Sequence, residues 1–226
     1  MSLADTDIAI LCGGLGTRLI PAALNRPKVL APILGRPYLD WLCDDLVWYG
    51  ARRIILLGGH LSEMLWDWLA PAQSKGLKIT LFNEPERSGT AGAVRQARHL
   101  LKSNPVLVIN GDTLVTADLD EFLDNHIVID CIASTLSAFI WNTKQIEYAG
   151  HYLLSQHALD RLVTSEHEGL HEFMAELQSE KLAQEYLSGE YLDIGKPEDL
   201  VKASAFIKEK IGDHQQNADA DKLVRR

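Results

Sequence analysis

The chain has 226 residues, with 31 acidic against 22 basic side chains, a net charge of −9 and a pI near 5.3. At about 150 residues per domain this is one domain, long enough to bury about 70% of its unfolded surface without a disulfide or metal staple. The acidic balance argues against a general nucleic-acid or anionic-membrane binder, and 46% hydrophobic with 23% charged residues excludes wholesale disorder.

In chain order, Ile8–Cys12 is a short apolar run ended by glycines, the pattern of a buried strand. Pro37–Tyr49 reads as a helix, with Pro37 at its first position and Leu39, Leu42, Leu46 and Tyr49 on one face. Arg53–Leu57 is a strand, Leu61–Leu69 a helix, Leu77–Phe82 a strand, Thr90–Lys102 a helix and Pro105–Ile109 a fourth strand. Strands separated by helices imply right-handed crossovers and a mainly parallel sheet, with ligands bound beyond the carboxyl ends of its strands. The second half is less regular. Ile127–Ala133 and Tyr148–Leu154 read as strands, Ser155–Val163 and Leu170–Ala183 as helices, Glu190–Leu192 as a short strand and Pro197–Ile211 as a helix. The expectation is one domain over residues 1–211, with a nucleotide-binding half at about 1–125, an acceptor half at about 126–211 and a flexible polar tail over 212–226.

Three places carry chemistry. Between Ile8 and Tyr38 there is no acidic residue, while Arg18, Arg26, Lys28 and Arg36 fall there together with Gly13, Gly14 and Gly16. Glycines turn the backbone tightly and aim several N–H groups at one point, and with nearby cations they make an anion site suited to phosphates. A plain glycine turn with solvated basic residues is the competing reading. The G-x-x-x-x-G-K-[ST] loop is absent, and G-x-G-x-x-G fails because Leu19 stands where the third glycine would be. The second place is Asn110-Gly111-Asp112-Thr113, directly after an apolar strand. An Asp there points into the expected crevice and suits Mg²⁺, although Asn-Gly-Asp is also turn chemistry. The third is Asp193, set between apolar residues ahead of Gly195 and Pro197, where a helix N-terminal acid would also fit.

Leu11-Cys-Gly-Gly-Leu-Gly-Thr-Arg-Leu19, Pro27-Lys28, Ala31-Pro32-Ile33 and Gly35-Arg-Pro37 together resemble the signature of the sugar-1-phosphate nucleotidylyltransferases. Gly89-Thr-Ala-Gly-Ala93, Asn110-Gly-Asp112 and Asp193-Ile-Gly195 continue it in the family's order. The likeness is greatest to short bacterial members, such as heptose-1-phosphate guanylyltransferases. It implies a Rossmann-like three-layer α/β sandwich and transfer of a nucleotidyl group from an NTP to a sugar 1-phosphate, releasing pyrophosphate. Carried over by motif, Leu11, Gly13, Gly14, Gly16, Thr17 and Gly111 bind the nucleotide. Glu86, Gly89 and Thr90 lie near the base. Arg18 and Lys28 are catalytic, Asp112 and Asp193 hold Mg²⁺, and Tyr148 and Gly150 belong to the acceptor side.

The chain departs from the family pattern on the acceptor side, where the Lys144 and Glu147 spacing is unfamiliar and the segment from Asp112 to Tyr148 is short, and near the base. Tyr148 stands where an Asn is usual, and Arg87-Ser88 where Pro-Leu is usual. Two alternatives therefore stay open: a non-sugar acceptor such as phosphocholine, or a catalytically weak regulatory protein that binds NTP or NDP-sugar.

No apolar run approaches the roughly 18 residues of a membrane span, and the N-terminus is acidic where a signal peptide is basic, so a cytoplasmic protein is expected. Cys12, Cys43 and Cys131 read as reduced core residues. His60 is a candidate at the site's edge, and His167 and His171, four apart, lack a third ligand. Trp41, Trp48, Trp66 and Trp68 read as core or interface, which allows a homodimer.

Overall fold

In a computed structural model, the described residues are 2–14, 26–72, 76–140, 145–187 and 189–224. The strands are β1 (Asp7–Leu11), β2 (Pro32–Ile33), β3 (Arg36–Pro37), β4 (Arg53–Gly58), β5 (Lys78–Asn83), β6 (Val106–Asn110), β7 (Thr113–Val115), β8 (Ala133–Ile140), β9 (Gln145–Leu154), β10 (Ala183–Leu187) and β11 (Tyr191–Asp193). The helices are α1 (Tyr38–Trp48), α2 (Glu63–Ala72), α3 (Gly89–Gln96), α4 (Leu119–Ile129), α5 (Gln156–Thr164), α6 (Leu170–Ser179) and α7 (Pro197–Val224). Seven strands form the central sheet in the order β10-β8-β9-β6-β1-β4-β5. Only β9 runs against its neighbours.

Alternate residues of the inner strands feed two separate cores, because successive side chains leave a strand on opposite faces. Ile8, Ile10, Ile54, Leu56, Leu107 and Ile109 pack on one face with Leu39, Leu42 and Leu46 of α1 and Ala203 and Ile207 of α7. Ala9, Ile55, Leu57, Val106 and Val108 pack on the other with Val94 of α3, Leu159 and Leu162 of α5 and Phe173 and Leu177 of α6. This is the expected three-layer α/β sandwich on a mainly parallel sheet. Among the described residues no helix is long and apolar enough to cross a membrane.

Several boundaries differ from the sequence reading. Ile127–Ile129 close α4 instead of opening a strand. Asp118 caps that helix by accepting from the Asp120 and Glu121 amides, Leu119, Phe122, Leu123 and His126 form its buried face, and Asp130 ends it at φ 55°. The β-branched run that suggests a strand is the outward face, with Val128 82% exposed. The helix expected over Thr90–Lys102 stops at Gln96 and gives way to a tighter turn over Arg98–Leu100. The helix from Leu170 stops at Ser179, and Ala183 begins β10 after a turn with Lys181 at φ 61°. Helix α7 runs on to Val224 instead of stopping at Ile211 and leaving an irregular tail; Gln215, Gln216, Ala218, Ala220 and Lys222 favour helix without an apolar face. None of the three cysteines forms a disulfide. Cys12 and Cys43 are buried, whereas Cys131 is only half-buried. Trp68 is buried and Trp66 exposed.

Two histidines sit neutral inside this frame. His151 is buried with its Nδ1–H donating to the Ala149 carbonyl at 2.9 Å, and His126 Nδ1 meets the Ser134 hydroxyl at 2.7 Å. Burial lowers both from 6.5 to about 4. The unfolded chain then binds more protons than the folded one between pH 6.5 and 4. Stability is therefore full above pH 6.5 and falls as the pH drops towards 4, by on the order of 3 kcal/mol per histidine. In urea titrations across that window, His151→Asn, whose amide keeps the donor to Ala149, is expected to flatten the fall. An unchanged slope would place the protons on other groups.

Candidate active site

The carboxyl ends of β5, β4, β1 and β6 open side by side on one edge of the sheet, and the chain leaves each through a polar or glycine-rich turn. Cys12 N–H donates to Leu57 O at 2.8 Å, Glu84 N–H to Gly58 O at 2.9 Å and Gly111 N–H to Leu11 O at 3.0 Å, so neighbouring strand ends are stitched together. Across the crevice the order is Glu84 after β5, Gly59 after β4, Gly13 after β1 and Asp112 after β6. Usual strand spacing makes this row about 14 Å long, enough for an elongated ligand. The backbones pack closely here: a Cβ on Gly13 would stand 2.7 Å from Glu84 Oε1, and one on Gly111 would stand 2.5 Å from the Leu11 carbonyl oxygen.

Leu11, Gly13, Gly14, Gly89, Thr90 and Asp112, all expected from sequence, line a single cleft of about 210 Å³ with Glu84, Arg87, Ala93 and Asn110. Gly111 is buried beneath it. Gly16, Thr17 and Arg18 lie outside the described residues. Glu86 is exposed and absent from the lining, and only its carbonyl is engaged, by Gln96. At the β5 end it is the Glu84 carboxylate, not that of Glu86, that lines the cleft, and burial pushes its pKa up while the charge of Arg87 pulls it down. Sequence reasoning missed Glu84, although the signal that found Asp112 applies to it as well: an acid directly after a buried parallel strand. Arg36 is turned away to Asp44 at 2.6 Å and Asp40 at 3.5 Å, Arg26 is exposed, and His60 is exposed outside the lining.

Asp112 and Asp193 are brought together by a small antiparallel ribbon. β11 pairs with β7 so that Asp193 stands opposite Thr113, and Ile194 N–H donates to the Asp112 carbonyl at 2.8 Å. Lys28, at the start of a 3₁₀ turn inside the acid-free segment, places its ammonium 2.6 Å from Asp112 Oδ2 and 3.2 Å from Asp193 Oδ1. Burial and the neighbouring Asp112 charge raise the Asp193 pKa, against the opposing pull of Lys28. The hydroxyl of Tyr38 is buried near the same carboxylates with no hydrogen-bond partner among the described residues. Two carboxylates converging on one cation form the donor set that a hard divalent ion takes, completed by water and phosphate oxygens.

On the far side of Asp112 lies the start of β9. Gly150 has φ 68° and packs against Asn110, where a Cβ would stand 2.7 Å from Asn110 Nδ2. Tyr148 turns its hydroxyl to α6, donating to Gln178 Oε1 at 3.1 Å, and the Tyr191 hydroxyl donates to Glu147 Oε2 at 2.6 Å.

The family model for nucleotidyl transferases matches residues 8–145, which carry the cleft and Lys28. The chain belongs to this nucleotidyl transferase family. It is 28% identical over 211 residues to the D-glycero-alpha-D-manno-heptose 1-phosphate guanylyltransferase of Campylobacter jejuni, covering 84% of this chain and 95% of that protein. It is 40% identical over 120 residues to the mannose-1-phosphate guanylyltransferase catalytic subunit beta of Danio rerio, covering 52% of this chain and only 33% of that longer protein. Among solved structures it resembles HddC from Yersinia pseudotuberculosis, with a TM-score of 0.70 at 25% identity over 88% of this chain and 98% of that one. The UTP-bound UGPase from Acinetobacter baumannii shares the fold with a TM-score of 0.74 at 17% identity, covering 89% and 92% of the two chains.

One glycine in this nucleotidyl transferase cleft is fixed by geometry. Gly89 opens α3 at φ 73°, and a Cβ there would stand 2.3 Å from the Glu168 carbonyl oxygen, which accepts from the Ala91 N–H at 2.8 Å. Gly89→Ala is expected to lower stability by at least about 1–2 kcal/mol in urea denaturation, from the left-handed backbone alone. A wild-type midpoint would mean that the turn relaxes freely.

Proposed function

We propose that the protein transfers a nucleotidyl group from an NTP to a sugar 1-phosphate, with GTP as donor and a heptose or hexose 1-phosphate as acceptor. The observation that carries this is the order of groups along one crevice: a carboxylate at Glu84, glycine backbone at Gly13 and Gly14, and the Lys28, Asp112 and Asp193 cluster. The first suits a base, the second phosphates and the third a reacting phosphorus. Guanine is favoured because a carboxylate accepts from both its N1–H and its N2 amino group, whereas the Watson–Crick edge of uracil offers one N–H donor. The guanylyltransferase names of the relatives support the same base.

In the reaction, a phosphate oxygen of the acceptor forms a bond to the α-phosphorus, and the bond from that phosphorus to the pyrophosphate oxygen breaks. Catalysis of this kind rests on positioning and on neutralising charge that builds on the phosphate oxygens. The amides at Gly13 and Gly14 would hold the phosphate chain, and Lys28 would meet the α-phosphate and the acceptor phosphate. Asp112 and Asp193 would hold Mg²⁺, which when bound polarises the α-phosphate as a Lewis acid. The acceptor would enter from the β9 side, past Gly150 and the Glu147–Tyr191 pair.

Pyrophosphate release with Mg²⁺, measured for the four NTPs crossed with a panel of sugar 1-phosphates, tests the reading. Release is expected with GTP and one heptose or hexose 1-phosphate, and silence across the panel would remove it. Asp112→Asn is expected to abolish Mg²⁺-dependent turnover with an unchanged circular dichroism spectrum, and full activity in that variant would remove Asp112 from the metal set. Lys28→Ala is expected to slow turnover more than tenfold, the equivalent of about 1.4 kcal/mol of transition-state stabilisation, whereas an unchanged rate would make it a loop anchor only.

A further inference from the structure

The five residues between β5 and α3 bring a second charged side chain to the base end of the cleft. Arg87 lines it together with Glu84, and its charge acts on that carboxylate. The backbone on both sides of Arg87 is pinned by one group: Gln96 Nε2 donates to the Glu86 carbonyl at 2.9 Å and to the Ser88 hydroxyl at 2.6 Å. An amide nitrogen carries two hydrogens, so both are used, and the loop is clasped to the end of α3 immediately before and after the arginine. Arg87 therefore projects from a braced turn beside Glu84. The glycine backbone suited to phosphates is two strands away, after β1.

Guanine offers two donors, N1–H and the N2 amino group, next to two acceptors, O6 and N7. A guanidinium fork matches O6 and N7 in bidentate fashion. Adenine carries an amino donor where guanine has O6 and an unprotonated N1 where guanine has N–H, so it opposes donor to donor and acceptor to acceptor. Cytosine fails in the same way.

We propose that Arg87 is a specificity-determining residue, its guanidinium reading O6 and N7 of guanine while Glu84 takes the two donors, and that Gln96 is the positioning residue that holds it there. The assignment rests on the nucleotide reading of the cleft given above. It predicts that the chain rejects adenine by the arginine as well as by the carboxylate.

The test is calorimetric binding of GTP, ITP, ATP and inorganic tripolyphosphate to the full chain, without acceptor, for wild type, Arg87→Met and Gln96→Glu. ITP keeps O6 and N7 and lacks the N2 amino group. Arg87→Met is expected to weaken GTP and ITP alike by about 5- to 150-fold, the range for losing one bidentate base contact, to leave tripolyphosphate unchanged and to tighten ATP by relieving the donor-to-donor clash. Gln96→Glu keeps the side chain's shape, removes both donors and retains Arg87; it is expected to lower the GTP-to-ATP preference severalfold while tripolyphosphate binding stays at the wild-type value, which separates loss of base reading from loss of the fold. Equal weakening of all four ligands by Arg87→Met would make the arginine a phosphate clamp and overturn the assignment, as would unchanged GTP binding. A Gln96→Glu protein with the wild-type preference would overturn the positioning role. Wild type preferring ATP to GTP would overturn the guanine pair while leaving a nucleotide site, whereas wild type binding none of the four would remove the nucleotide reading and the pair with it.

Discussion

Strand β1 is hydrogen-bonded to parallel strands on both sides, and the chain reaches them in opposite directions: first outward through β4 to β5, then back across to β6. At such a switch point the connections leaving neighbouring strand ends diverge, and a crevice opens between them. The crevice here is lined by the first residues after each strand, which the end-of-strand hydrogen bonds hold in register. Because both faces of the sheet are covered by apolar helices, this edge is where backbone N–H groups and charged side chains can face a ligand from several strands at once. The placement of Glu84, Gly13 and Asp112 in one row follows from that topology.

The second half of the chain completes the site by bringing charge to it. Asp193 arrives on a ribbon of three residue pairs, and two carboxylates held close in a half-buried place repel unless a cation lies between them. Lys28 meets that need in the structure, at 2.6 and 3.2 Å from the two acids. The raised pKa of Asp193 reflects the residual strain of the arrangement, since burial and Asp112 outweigh the lysine. A pair of acids poised in this way favours an additional positive charge, and Lys28, Asp112 and Asp193, far apart in the chain, meet at one corner of the fold.

Much of this was legible in the residues, for identifiable reasons. The parallel strands β1, β4, β5 and β6 are short apolar runs ended by Gly or Asn, and a run buried on both faces is a strong signal of a parallel sheet. Asp112 could be singled out because a carboxylate just past such a run points into the crevice beyond the strand ends, although Asn-Gly-Asp serves equally as turn chemistry. Helix α4 was misread because Ile127, Val128 and Ile129 are β-branched, while the capping by Asp118 and the face from Leu119 to His126 carry the helical signal. Glu84 carries no motif of its own, whereas Glu86 stands close to the Gly89-Thr90 pair, and single-residue direction out of a loop depends on tethers such as Gln96 that no local pattern encodes.

By itself the sequence determined the layered parallel fold, the acid-free glycine segment and the family, since apolar periodicity and turn chemistry are local properties that a chain carries wherever it folds. The tertiary structure decided which charged groups meet. Lys28, Asp112 and Asp193 are joined by an antiparallel ribbon between distant segments, and Glu84 with Arg87 enters the cleft only because β5 ends beside β4. Such contacts depend on strand order and register, which are settled by the packing of the whole sheet and leave no periodic trace in the residues that make them.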